Sequence, residues 1–204
     1  NRKQAFVELH IAKLNKHFME GTFSEGLKLV PVIEENLKVF SRYLDRHRVL
    51  VFYYKIASLY FGSGAYGIAI DYLTKIINWK VDLRTDLQCY ARLLHLIAHY
   101  ELGNFDILEY LTKSVFRFMS KMENLSIVEK EIFGFLRNSF RLSPRQLKPE
   151  FEKLLFKLKH LEKNHTEARA FAYLDIISWL ESKVRNVPVQ DVIREKYLSR
   201  TRRD

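Results

Sequence analysis

The pair of residues closest to a metal-binding spacing is His95 and His99, four apart in a stretch of helical periodicity. Two imidazoles on one helix face make half of a tetrahedral site, but no third ligand stands at a matching distance along the chain. They are read as packed or hydrogen-bonded histidines. Carboxylates pair at Glu34/Glu35 and Glu129/Glu131. Such pairs can do general acid–base work when their environments push their pKa values apart, yet these fall where solvated helix faces are expected. Cys89 is the single cysteine, so no internal disulfide forms within this chain, and a lone thiol of this kind is read as a small buried packing residue in a reducing compartment. Phosphate-binding glycine loops, dinucleotide fingerprints, HExxH, GxSxG and paired-cysteine patterns are all missing from the sequence. The expectation is a protein that is not an enzyme, with no cofactor and no metal.

Charge offers a second kind of chemistry. The net charge is +10, carried unevenly: residues 1–80 hold 12 basic and 7 acidic groups, residues 81–141 hold 8 of each, and residues 142–204 hold 14 and 9. Local clusters stand at Arg42, Arg46, His47 and Arg48 and at Arg200, Arg202 and Arg203. Phosphate binding depends on local charge density, and no base-reading motif accompanies these clusters. The aromatic residues fall mainly at core spacing rather than alternating with basic ones as stacking platforms do. Nucleic-acid association is therefore the alternative, and an anionic protein partner is a further way to use the charge.

The elements that must position these residues are helices. A chain of 204 residues with 48% hydrophobic content can bury a sizeable core, and its 7 Gly and 4 Pro leave long stretches uninterrupted. No apolar run approaches the roughly 18 residues of a membrane span, and no signal-peptide pattern opens the chain, which points to a cytoplasmic location. The first residue is Asn1 rather than Met, which leaves room for upstream sequence such as the rest of a longer regulator.

Tyr53, Ile56, Ala57, Tyr60, Gly64, Tyr66, Ala69 and Leu73 follow a distinct grammar. Ile56, Ala57 and Tyr60 share one helix face, Ala57 admits close approach of a second helix, Gly64 lets the chain reverse, and Ala69 and Leu73 pack back four residues apart. The grammar recurs around Gly103, in Ala98 to Asp106, and around Gly21, in Phe18 to Gly26 with Gly26 where Ala is usual. This pattern resembles the tetratricopeptide repeat, as in TPR-like proteins of bacteria. The resemblance implies an all-α fold of antiparallel helix hairpins, a TPR-like α-solenoid, with three hairpins over residues 1–122. The turn glycines are 43 and 39 residues apart, wider than the family period of about 34, so longer helices or links are expected.

Helices are expected near residues 3–20, 24–43 with a kink at Pro31, 47–62, 66–79, 83–102 and 105–122, with Asp82 and Asp86 favouring the start of the fifth. Beyond Met122 the repeat fades but the periodicity persists. Ser126 caps a helix carrying Ile127, Ile132, Phe133, Leu136 and Phe140, and Ser143-Pro144 and Lys148-Pro149 mark two helix starts. The stretch from Pro149 to Lys163 puts Phe151, Leu154, Leu155, Leu158 and Leu161 on one face, Thr166-Glu167 opens a helix through Phe171, Leu174, Ile176, Ile177 and Trp179 to Asn186, and a short helix follows over 189–198. Residues 123–204 are expected to pack on the same solenoid as a C-terminal cap, one domain overall.

The resemblance also implies an inner surface built from first-helix positions: Ile11, Asn15, Phe18 and Met19, then Tyr54, Ser58 and Phe61, then Tyr90, Leu93, Ile97 and Tyr100. That lining is apolar, and only Asn15 suits a carboxylate clamp. The expected activity is a non-enzymatic scaffold or adaptor that receives a protein or peptide, with Phe18, Tyr54, Phe61, Tyr90, Leu93, Ile97 and Tyr100 as anchors. Its own C-terminal helices or a second copy of the chain are competing occupants.

Overall fold

The structure is a computed structural model that describes residues 2–40, 42–79, 85–122, 125–139, 142–163 and 175–202. Every regular element among them is helical: α1 Arg2–Glu20, α2 Phe23–Gly26 running through a 3-10 turn Leu27–Leu29 into α3 Val30–Phe40, α4 Arg46–Gly62, α5 Tyr66–Ile77, α6 Thr85–Glu101, α7 Phe105–Met119, α8 Ile127–Ser139, α9 Pro144–Glu162, α10 Ile176–Arg185 and α11 Val189–Thr201. No helix among the described residues is long and apolar enough to cross a membrane.

Three hairpin turns are built alike. Gly21, Gly64 and Gly103 have φ of 70°, 88° and 76°, a left-handed conformation in which a side chain is strained. After each glycine the next amide reaches back over the turn: Thr22 N–H to His17 O at 3.0 Å, Ala65 N–H to Tyr60 O at 2.8 Å and Asn104 N–H to His99 O at 3.1 Å. This six-to-one bond closes a Schellman motif and satisfies a helix-end carbonyl. Asn186 repeats it at the end of α10, with φ 55° and Val187 N–H on Ser182 O at 3.0 Å.

The chain separates into two compact units, Asn1–Ala91 with Gln190–Asp204, and Arg92–Val189. In the first, α4 packs along α5, and Leu50, Phe52, Ile56, Ala57, Leu59, Ala69, Leu73 and Ile76 are fully buried. Gly62 is required by packing, since a Cβ there would lie 2.2 Å from Cδ1 of Phe23. The α11 helix joins this unit rather than the chain segment that precedes it: Gln190 Oε1 accepts from Ser24 Oγ at 3.2 Å, and Arg194 Nη1 donates to Glu20 O at 3.2 Å. Backbone of α11 comes so near the first turn that a Cβ on Gly21 would lie 2.4 Å from Arg194 N. In the second unit α8 packs between α7 and α9, and α10 lies on α9.

Several local expectations change. The stretch over 24–43 is helical as far as Phe40 and is interrupted just before Pro31, where the 3-10 turn Leu27–Leu29 gives Val30 N–H the Leu27 carbonyl that a residue at 31 with an N–H would otherwise bond. Pro149 does not start a helix but lies inside α9, which begins at Pro144 because Ser143 forms the capping box there, its N–H donating to Gln146 Oε1 at 2.8 Å. The carboxylates Glu34 and Glu129 are not simply solvated. Glu129 is buried and closes a capping box with Ser126, accepting from its N–H at 2.8 Å, while Glu34 accepts from the Tyr72 hydroxyl. Asp175 caps α10, accepting from Ser178 N–H at 3.0 Å. The expected start at Thr166-Glu167, and Asp82, Phe140, Phe171, Leu174 and Arg203, lie outside the described residues.

Candidate functional site

Within the second unit, α6 and α7 run antiparallel, with Tyr100 against Phe105 at one end, ring centroids 5.8 Å apart, and the Arg92 guanidinium 4.5 Å over the Phe118 ring at the other. Spacing along α6 brings Leu93, Ile97 and Tyr100 to one face, the i, i+4, i+7 series of an amphipathic helix. Opposite stand Ile132, Phe135 and Leu136 of α8, Phe151 and Leu154 of α9 and Ile176 and Trp179 of α10. Between these faces lies a cavity of about 420 Å³. A dry apolar cavity of about 150 Å³ takes one benzene, so this one has room for several partner side chains.

Aromatic contacts frame it. Phe151 meets Tyr100 at 5.5 Å, Phe135 at 5.8 Å and Trp179 at 5.2 Å, mostly edge-on, as ring quadrupoles favour. The Trp179 indole is held from its far end: Nε1 donates to the Glu101 carboxylate at 2.7 Å, and Lys183 Nζ donates to the same group at 3.0 Å. Polar groups along the wall are turned to their own helices. Thr112 Oγ1 donates to Leu108 O at 2.7 Å and Ser139 Oγ to Leu136 O at 3.0 Å. Burial, and after it Glu101, pushes the Tyr100 phenol upward, so it stays neutral. The lining therefore offers apolar surface and few free hydrogen bonds. At its edge Phe105, which lines the cavity from the start of α7, is exposed to 47% of its full accessibility.

Of the seven anchors expected from sequence, Leu93, Ile97 and Tyr100 line this cavity. The other four belong to the first unit. There Tyr54 and Phe61 are buried, Tyr90 is buried, and Phe18 is half-buried against Phe23 with the Lys55 ammonium 5.4 Å from its ring. Asn15 Oδ1 accepts from Lys55 Nζ at 2.6 Å. The walls from α8, α9 and α10 are the apolar faces of the C-terminal helices, whose periodicity was visible but whose meeting point with α6 was not.

His95 and His99 pack edge to face, 4.6 Å apart, and His99 Nδ1 is hydrogen-bonded to Asn104 Nδ2 at 3.0 Å. Burial, then His99, then Arg92 push the His95 imidazole down to about 4, and burial lowers His99 too, which favours the neutral packed form. Among the described residues no group of three or more His, Cys, Asp or Glu could hold a metal ion. Cys89 is buried. No family model, curated protein or solved structure matches the chain.

Proposed function

We propose that the chain is a non-catalytic binding module of TPR-like type, a scaffold or adaptor whose α6–α10 cavity receives the apolar face of an amphipathic helix from a partner protein. The observation that carries this reading is the cavity of about 420 Å³, walled by aliphatic and aromatic side chains whose polar neighbours are already satisfied. Such a surface rewards side chains spaced i, i+3, i+4 on a helix and gives a polar substrate nothing to bind. Phe105 carries the apolar lining to the surface, where a helix backbone would lie. Selection of displayed helical peptides against the full chain, with Phe105→Asp as the counter-target, tests it. The expected outcome is peptides with two or three apolar anchors on one face, bound at least tenfold more weakly by Phe105→Asp and by the cavity-filled Leu136→Phe. Peptides that bind all three proteins alike would remove the assignment.

A second reading, nucleic-acid association, is favoured by one feature: a cleft of about 430 Å³ lined by Arg92, Ser114, Arg117, Phe118, Ser120 and Lys121, with no carboxylate among the described residues of its wall. It predicts RNA or DNA binding that falls steeply with salt and is lost in Arg117→Ala/Lys121→Ala. No retention at about 50 mM salt would dismiss it.

A further inference from the structure

The first unit contains a different kind of surface, one that already holds a cation. On α4, Tyr53 and Tyr60 fall seven residues apart and share a face; on α5, Tyr72 and Lys75 are three apart; Trp79 follows α5 and Glu34 comes from α3. The rings of Tyr53 and Tyr72 meet at 55° with centroids 6.1 Å apart, forming a corner. Trp79 extends the Tyr53 side at 6.4 Å and 61°, and Tyr60 stacks behind Tyr72 at 5.9 Å and 15°. Into the corner the Lys75 ammonium projects, 4.7 Å from the Tyr72 centroid and 5.4 Å from that of Tyr53. Both distances lie inside the range of about 6 Å in which a ring quadrupole attracts a cation.

The Tyr72 hydroxyl donates to the Glu34 carboxylate, and burial together with Glu34 pushes the phenols of Tyr53, Tyr60 and Tyr72 upward. The rings thus remain neutral π faces beside the Glu34 carboxylate. Lys75 is exposed and Tyr53 and Trp79 are half-buried, so the corner opens to solvent. A surface made mainly of π faces suits a cation without N–H donors. A lysine ammonium is compact and strongly hydrated, and so gives up more to occupy it than a quaternary ammonium does.

We propose that the corner of Tyr53, Tyr72 and Trp79, with the Glu34 carboxylate at its edge, binds a trimethylammonium group, and that Lys75 is a tethered competitor for the same position. The test is an NMR titration of the full chain, following the Trp79 indole N–H resonance, which is identified by its loss in Trp79→Phe. Choline chloride is compared with 3,3-dimethyl-1-butanol, its neutral isostere, at constant ionic strength. Choline should shift the resonance saturably and the alcohol should not. Lys75→Ala should tighten binding about threefold, whereas Tyr53→Leu and Glu34→Gln should each weaken it about fivefold, with unchanged circular dichroism as the fold control. Phosphocholine outcompeting Nε-trimethyl-lysine amide would assign the group to a lipid headgroup, and the reverse order to a methylated protein. Equal shifts from choline and the alcohol, no saturable shift, or binding indifferent to both Lys75→Ala and Glu34→Gln would overturn the proposal.

Discussion

The hairpins α4–α5 and α6–α7 begin from the same turn and end in different surroundings. Gly64 and Gly103 share a left-handed φ and the same six-to-one hydrogen bond, yet the α4–α5 pair closes on a filled core around Phe52 and Leu59, while α6 looks into a cavity of about 420 Å³. Local chemistry is thus equal at the two turns, and what differs is the set of neighbours. Phe52 is enclosed by side chains of its own unit, whereas Leu93 and Ile97 meet helices that are large-ringed at Phe135, Phe151 and Trp179 and leave space between them. A repeat-like turn specifies a hairpin; it does not specify whether the face of that hairpin is filled.

The comparison can be broken first in the cores. Phe52→Ala should destabilise by about 3–5 kcal/mol, while Ile97→Ala, whose side chain already borders a void and so loses fewer contacts, should fall nearer 2 kcal/mol. Urea denaturation of the two variants decides it, and equal losses would mean that the two environments are packed alike. A sharper contrast is one of sign. Leu136→Phe adds volume into the cavity and should stabilise by about 0.5–2 kcal/mol, whereas Leu59→Phe overpacks a fully buried site and should cost about 1–3 kcal/mol.

The shared turns predict agreement instead of contrast. Gly64→Ala meets nothing within 4 Å and Gly103→Ala only Cε2 of Phe105 at 3.8 Å, so each should cost about 1 kcal/mol through backbone strain alone. Gly21→Ala should cost more than either, because its Cβ would run into the backbone of Arg194. Thermal melts of the three variants rank them.

A further contrast concerns pH. His95 is held at about 4, below its ordinary value of about 6.5, so the folded protein binds fewer protons than the unfolded chain between these values. Its contribution is complete above about pH 6.5 and is lost as pH falls toward 4. Stability measured over that window should slope less in His95→Gln than in the parent.

Much of the local structure was legible in the sequence. The three turn glycines, the caps at Ser126 and Ser143, and the end of α10 at Asn186 are set by residues within a few positions of one another, and such short-range signals read directly. Pro149 misled because a proline near a helix start resembles a start, and the capping residue six positions earlier prevailed. Glu34 and Glu129 misled because hydrogen-bond partners from another helix or a reciprocal cap are invisible to charge periodicity. The cavity was half legible: Leu93, Ile97 and Tyr100 were marked by what the repeat resemblance implies, and Ile132, Phe151 and Trp179 by apolar periodicity, but their convergence depends on long-range packing. The corner at Tyr53, Tyr72 and Trp79 went unread because aromatic residues at helical spacing look like core, and only the placement of Lys75 over two rings distinguishes it.

The central claim, that the α6–α10 cavity accepts apolar groups while the α4–α5 core does not, is tested most directly by methyl NMR of the full chain in benzene-saturated buffer. The isoleucines report on both regions at once, Ile97, Ile132 and Ile176 lining the cavity and Ile56 and Ile76 buried in the other core. The expected result is a large shift of the first three and none of the last two, abolished by Leu136→Phe. Unmoved cavity methyls, or equal shifts in both sets, would contradict the account.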